Sequence, residues 1–315
     1  MSNSLQLTNI GELVTANSAG VERYQNSSLC IEDGKISSIS DRNGDQIIDC
    51  GGKMVTAGFV DSHTHPVFYN KRDEEYRMRL AGATYEEIAE KGGGIISSVE
   101  GVRNASKEAL VEKVMQRMDR FIAGGTTTIE AKSGYGLNTD SELKSLSVID
   151  EVNQNHPIDM VPTFMGAHAF PKEFSNDHDA YIDLICNEMI PAVTDQGVAI
   201  FNDVFCEEKY FTVDQSRRIL EAGREHGLKP RLHADEFVDS GAAVLAGEIN
   251  AFSADHLMAV SEIGIRSIVD NDVVATLLPG TTFFLGKSNY APARKLIDNN
   301  VTVALATDFN PGSSH

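Results

Sequence analysis

The chain is short of the features that mark several large protein classes. Its four cysteines, Cys30, Cys50, Cys186 and Cys206, are scattered and form no Cys-x-x-Cys pair. They read as reduced thiols of a cytoplasmic protein rather than as a disulfide framework. No apolar run approaches the ~18 residues of a membrane helix. Met1-Ser2-Asn3-Ser4 has neither a basic head nor a following apolar stretch, so no secretory signal is expected. Positive charge is scarce, with 27 Lys and Arg against 46 Asp and Glu and a formal charge of −19. Such a surface repels phosphate backbones and anionic lipid, which excludes nucleic acid and membranes as expected partners. Sequence repeats, low-complexity segments, and Walker or Gly-x-Gly-x-x-Gly spacings are also missing. Gly92-Gly93-Gly94 therefore reads as a hinge or tight loop and not as a phosphate cradle.

What is present is a change of pattern near residue 57. Before it, short β-type stretches at 5–8, 28–31, 36–39 and 46–49 alternate with the turn signals Asp33-Gly34 and Asn43-Gly44. A small β-domain over 1–56 is expected, with Asp33-Gly34 making a hairpin. From Phe59 onward the order is strand, loop, helix, repeated. Strands are expected at 58–63, 126–132, 159–166, 199–206, 230–234, 251–255, 273–278 and 302–307. Thr139-x-x-Glu142 and Thr212-x-x-Gln215 fit helix capping boxes, and Gly227 fits the residue just past a helix end. Leu143, Leu146, Ile149 and Val152 make one buried stripe. A length of 315 residues suits a closed α/β barrel of ~250 residues plus an appendage. We therefore expect a (β/α)8 barrel over 57–315, with a doubly wound open sheet as the alternative. The span 66–125 must hold an inserted loop. The barrel lacks a final helix, which would leave Val301, Val303 and Leu305 partly uncovered.

In such barrels chemistry sits where strands end. His63 and His65 end the first expected strand and face one way, because side chains two apart on a strand share a side. Gly134-Tyr135-Gly136 follows the second and His168 the third. Cys206-Glu207-Glu208 ends the fourth, His233-Ala234-Asp235-Glu236 the fifth, His256 the sixth and Asp308 the eighth. The remaining histidines, His156, His178, His226 and His315, lie in polar surroundings and should face solvent. Any one strand-end histidine could simply bond a backbone carbonyl, and Asp308 could merely cap a turn. Five at the ends of four strands favour one site, in which His63, His65, His233 and Asp308 would ligate a metal.

Several segments carry a resemblance: Asp61-Ser62-His63-Thr64-His65-Pro66-Val67, Leu80-Ala81-Gly82-Ala83-Thr84-Tyr85 and Gly92-Gly93-Gly94-Ile95. To these are added Lys132-Ser133-Gly134-Tyr135-Gly136-Leu137, Gly166-Ala167-His168, Asp203-Val204-Phe205-Cys206-Glu207 and Asp308-Phe309-Asn310-Pro311-Gly312. Together they resemble the amidohydrolase superfamily, and within it the members that open an imidazolone ring in histidine breakdown. The resemblance implies a TIM-like barrel of the amidohydrolase type and one Zn2+ or Fe3+ per chain on His63, His65, His233 and Asp308. Arg72 would meet a propionate. Tyr135, His168 and Glu236 would line the substrate pocket, and Asn310 and Gly312 would contact the product-like part of the ligand. His256 would stand beside the metal without being an obligatory ligand. Relatives of this kind continue past residue 315, and a C-terminal segment would complete their β-domain.

The implied reaction is hydrolysis of the ring amide of 4-imidazolone-5-propanoate to N-formimidoyl-L-glutamate. Asp308, His256 and Glu236 would be its catalytic groups. Asp308 would take and return a proton, His256 would polarise the carbonyl, and Glu236 would hold or relay a proton at a ring nitrogen. Lys209 lies beyond the fourth strand end, which favours one metal over a lysine-bridged pair. The expected partners are a small anionic substrate and at most a second copy in a homodimer. A deaminase or cyclic amidase acting on a purine or pyrimidine is the alternative enzyme. A non-catalytic barrel serving as an interaction module is the alternative outside enzymes, although no metal ligand is missing.

Overall fold

Ile10 and Leu13, with Leu7 packed against them, give the first strand a buried face on which the N-terminal sheet is organised. In the computed structural model, residues 4–17, 20–40, 44–82 and 93–314 are described. Asn43, Gly92, His315 and the Ala83-Thr84-Tyr85 end of one motif lie outside them. The chain divides into two units, Met1–Phe59 and Val60–His315.

In the first unit, β1 (Ser4–Asn17) pairs antiparallel with β2 (Gly20–Glu32). β3 (Lys35–Ser38) follows β2 through Asp33-Gly34, whose φ values of 50° and 76° suit the right-handed twist of a tight hairpin. β4 (Gln46–Asp49) and β5 (Met54–Thr56) lie parallel to β1. β1 is much longer than the expected stretch, and β5 was not anticipated. A register shift between Leu7 and Ile10, with Asn9 at φ 50°, breaks the alternation that would have revealed the full strand. Ile10, Leu13 and Leu29 form this unit's core.

The second unit holds an eight-stranded sheet in sequential order. Its strands are β6 (Phe59–Asp61), β7 (Thr126–Lys132), β8 (Asp159–Ala167) and β9 (Phe201–Cys206). β10 (Lys229–Ala234), β11 (Ser253–His256), β12 (Val274–Leu277) and β13 (Val303–Leu305) complete it. The ladders from β7 to β13 are parallel. Just past the first and last strands the sheet closes on itself: Asp308 N donates to His63 O (3.0 Å) and His65 N to Phe309 O (2.7 Å). An open doubly wound sheet would reverse its strand order part-way, and this one does not.

Two helix starts behave differently. At Val213–Glu225 the Thr212/Gln215 capping box forms as expected, and Gly227 follows at φ +89°. At Thr139–Asn155 the expected box does not form. Asn138 is the N-cap, accepting from Ser141 N, while Glu142 turns inward to the preceding loop. Leu146, Ile149 and Val152 of this helix are buried and Leu143 is half-buried. The span 66–125 contains the helices Asp73–Leu80, Ile95–Asn104 and Lys107–Ala123. Gly94, at φ 78°, starts the second of these, and its N–H donates to Glu75. Val301 is buried, contrary to expectation, whereas Val303 is half-buried and Leu305 is 66% exposed. His156 is also not solvent-facing. Its side chain is 5% exposed and lies between Asp119 and the Ile158 N–H. His178 and His226 are exposed. No described helix is long and apolar enough to cross a membrane.

The corrected cap predicts an asymmetry. Asn138→Ala should cost about 1 kcal/mol of stability in urea unfolding, through loss of the cap. Thr139→Ala, which loses only an exposed hydrogen bond to Glu188, should cost a few tenths of that at most. Equal losses would restore Thr139 as the cap.

Candidate active site

The barrel's strand register sets the site. β10 pairs with β9 and β11 so that His233 lies opposite Phe205 on one side and Asp255 on the other. Closure at β6 and β13 adds His63, His65 and Asp308. His63 Nε2 is 3.2 Å from His65 Nε2 and 3.5 Å from Asp308 Oδ1, and His65 Nε2 is 3.3 Å from that same oxygen. Atoms bound at about 2.0–2.1 Å around a tetrahedral ion stand about 3.3 Å apart. The spacing matches. The His63 and His233 ring centroids are 4.4 Å apart, and His63, His233 and His256 form a second close group. All five side chains are buried. A His/Asp group that can bind a metal ion therefore sits at the mouth of the barrel.

Of the atoms facing away from this centre, those of His63, His233 and Asp308 are tied, while His65 Nδ1 has no hydrogen-bond partner among the described residues. His63 Nδ1 donates to Asp255 Oδ2 (2.7 Å), and His233 Nδ1 to Asp203 Oδ1 (3.0 Å). Each bond fixes the tautomer that leaves Nε2 free. Thr281 Oγ1 donates to Asp308 Oδ2 (2.8 Å), leaving Oδ1 toward the histidines. Asp308 (φ 52°) and His256 (φ 77°) both have the left-handed backbone that side chains normally avoid. Such residues cost about 1–3 kcal/mol each and persist only where the surroundings hold them.

Electrostatics separates the groups. Burial alone would lower His63, but hydrogen bonds to Asp255 and Asp308 outweigh it and hold its pKa up to about 9. Burial would raise Asp308, but the bonds to His63 and His65 hold it well below the usual carboxylate range. With less compensation, burial pulls His256 down to about 4 and His168 down to about 3, keeping both neutral. Glu236 is pushed well above the usual range by burial and by the charge of Asp308. This favours its acid form, which can donate a proton. Its Oε2 lies 3.7 Å from His256 Nε2, an atom with no hydrogen-bond partner.

Tyr135 and His168 line one wall. The His168 ring stacks on His65 at 5.0 Å, its Nδ1 donates to Gly134 O (2.9 Å), and Tyr135 lies 5.1 Å from it. Arg72 precedes the helix Asp73–Leu80, with its own N–H bonded to Pro311 O (2.7 Å). Its side chain is 15% exposed, its Nε has no hydrogen-bond partner, and Glu75 is 3.8 Å away. A Cβ added at Gly312 would overlap the Arg72 guanidinium, so only glycine allows this approach. Asn310 is buried, but its amide is occupied by its own loop. It accepts from the Gly312 and Ser313 N–H groups and donates to Asp308 O and Ser313 Oγ.

Sequence reasoning missed the supporting charges Asp203, Asp255, Arg231, Lys132, Glu130 and Glu142. The usable signal was their setting. Charged residues inside apolar strands must be paired, because an unpaired buried charge is costly. Arg231 bridges Asp255 Oδ2 (2.9 Å) and Ser62 O (2.7 Å). Glu142 accepts from the N–H groups of Gly134, Gly136 and Leu137, and so shapes the loop carrying Tyr135. On the first strand's far side, Arg117 donates to Pro66 O and Phe68 O and lies 3.4 Å from the Phe68 ring centroid.

A sequential parallel barrel with His-x-His after its first strand, His at the end of its fifth and Asp after its eighth defines an amidohydrolase-type protein. Solved structures agree on the fold. Guanine deaminase from C. acetobutylicum with bound guanine superposes with a TM-score of 0.67 at 18% identity, over 99% of this chain and 76% of that one. An atrazine chlorohydrolase from Arthrobacter aurescens TC1 complexed with zinc gives 0.70 at 14% identity, over 98% and 72%. No family model matches the chain. Imidazolonepropionase of Geobacillus thermodenitrificans (strain NG80-2) is 50% identical over 301 residues, spanning 92% of this chain and 71% of the relative. The enzyme of that name from Treponema denticola is 50% identical over 270 residues, spanning 86% and 65%. The chain belongs to the imidazolonepropionase family.

Glu142→Gln tests the loop's anchor. The amide sets two donors among three N–H groups that need an acceptor, so stability should fall by about 1–3 kcal/mol. The near-ultraviolet circular dichroism of tyrosine should change with it. An unaltered spectrum and melting curve would mean that the loop holds Tyr135 without Glu142.

Proposed function

We propose that this protein hydrolyses the ring amide of 4-imidazolone-5-propanoate to N-formimidoyl-L-glutamate in histidine breakdown. It would use one zinc or iron ion held by His63, His65, His233 and Asp308. The observation that carries the reading is a cation placed beside a metal-type centre in a very acidic protein. Arg72 is half-buried, its Nε has no hydrogen-bond partner among the described residues and only Glu75 within ion-pair range at 3.8 Å, and its N–H is bonded to Pro311 in the loop that begins at Asp308. A planar guanidinium suits a carboxylate because it offers two parallel hydrogen bonds. A neutral purine or pyrimidine would have little use for it. The 50% identity to imidazolonepropionases supports the same substrate, whereas the likeness to guanine deaminase, at 18% identity, speaks only of fold. A cytoplasmic setting and, as assembly, a homodimer complete the reading.

A bound ion would supply Lewis acidity, bringing the pKa of a water toward neutrality. The remaining work falls to side chains. Arg72 holds the propionate and so orients the ring over the strand ends. Tyr135 and His168 exclude water from one face. Asp308, kept ionised by its neighbours, takes the proton released as water attacks the ring carbonyl. Neutral His256 donates to the oxygen on which negative charge develops. Asp308 then gives its proton to the departing ring nitrogen, and Glu236, in its acid form, hydrogen-bonds the other ring nitrogen.

Two substitutions test the anchor separately from the fold. Arg72→Met removes charge-assisted bonds worth about 1.5–3 kcal/mol, so KM should rise roughly 10- to 100-fold. Gly312→Ala leaves the side chain in place but displaces its guanidinium, and should raise KM in the same direction. A ring analogue with a neutral group in place of the propionate should be little affected by either change. Equal losses on both compounds would make Arg72 a structural residue.

A further inference from the structure

Lys132 ends β7, and its side chain is completely buried. Taking an ammonium out of water costs several kcal/mol, so it must be well compensated. Its Nζ lies 2.6 Å from Asp203 Oδ2 on β9 and 2.9 Å from Glu130 Oε1 on its own strand. Each carboxylate uses its other oxygen on the candidate metal site. Asp203 Oδ1 accepts from His233 Nδ1 (3.0 Å), and Glu130 Oε2 accepts from Thr64 N (3.2 Å). Thr64 is the residue between His63 and His65, and its Oγ1 donates to Glu130 O (2.6 Å). The Lys132 N–H also donates to Thr64 O (3.0 Å). One ammonium thus sits at the junction of two chains of hydrogen bonds. One ends on the His-x-His segment and the other on the histidine of the fifth barrel strand.

We propose that Lys132 is a positioning residue that holds the two halves of the metal-ligand set, His63/His65 and His233, in register with each other. The inference rests on the metal-site reading above. Without its ammonium, Asp203 and Glu130 would lose the one cation hydrogen-bonded to both, leaving only the charge of Arg231 nearby. The carboxylate of Asp203, no longer held at Oδ2, is then free to turn, and turning releases the His233 ring. Lysine suits the junction because its three donors radiate from one point toward carboxylates on different strands. Arginine's flat fork would not reach both in the same way. Arg231 serves His63 through Asp255 in a similar manner; its charge also acts on Asp203 and Glu130, but its hydrogen bonds reach only the His63 side.

The test uses Co2+ as probe, because its visible absorption reports ligand geometry without any turnover. Wild-type protein should bind Co2+ with a characteristic visible spectrum, which Zn2+ abolishes by displacement. Lys132→Met should weaken affinity for both ions by about 10- to 100-fold and alter the Co2+ spectrum. Asp203→Asn should do the same, since one amide oxygen cannot accept from both Lys132 and His233. It also carries the test should Lys132→Met fail to fold. Lys144→Met provides the control for mere destabilisation. Lys144 only caps the carbonyls of Val102, Arg103 and Ala105, so this variant should melt earlier yet keep the wild-type spectrum and affinity. Wild-type metal binding with an unchanged spectrum and affinity in the folded Lys132 and Asp203 variants would overturn the role of Lys132. A wild-type protein that binds neither ion would overturn the metal reading, and this inference with it.

Discussion

The hydrogen bonds that close the barrel are the constraint on which the rest depends. Thr307 N donates to Asp61 Oδ1 across 246 positions of sequence, and beyond it Asp308 and His65 exchange backbone bonds with the opposite strand end. These contacts put a carboxylate from the end of the chain beside two imidazoles from near its start. They also hold Asp308 in a left-handed conformation that the chain would otherwise avoid. Each such pairing closes a very long loop, so its entropy must be recovered by the packed strands between. The site is therefore a property of the whole barrel and not of any local motif.

Burial sets the second condition. His63, His65, His233, Asp308, Asp203, Asp255, Lys132 and Arg231 are all nearly inaccessible. In a dry interior, attraction between charges is strong, but an unmatched one is heavily penalised. The arrangement meets this by alternation: imidazole beside carboxylate, carboxylate beside ammonium or guanidinium. Most outer atoms of the site are taken up by this network, His63 Nδ1 by Asp255, His233 Nδ1 by Asp203 and Asp308 Oδ2 by Thr281, while His65 Nδ1 stays without a partner among the described residues. Glu236 and His256, which lack such partners, are left neutral and able to donate protons.

Much of this was legible in sequence. Strands of a parallel barrel are covered on both sides and read as apolar runs. A histidine or aspartate at the end of such a run stands out, and all eight strands were found within a few residues of their bounds. What stayed hidden depended on distant partners. Thr139-x-x-Glu142 has the spacing of a capping box, yet Glu142 serves three N–H groups of the Gly134–Leu137 loop, and Asn138 takes the cap. His156 looks like a surface residue by its neighbours in sequence, but Asp119, from another helix, shields it. Asp203, Asp255 and Lys132 could have been suspected as buried charges, but nothing local tells which one faces which. The long β1 was masked by its own bulge.

The measurement that bears most directly on the proposed chemistry is the loss of ultraviolet absorbance of 4-imidazolone-5-propanoate with metal-loaded protein, with the product identified. Expected is turnover to N-formimidoyl-L-glutamate, abolished by a chelator and restored by zinc or iron. Release of ammonia instead, or no turnover by protein carrying one ion per chain, would contradict it.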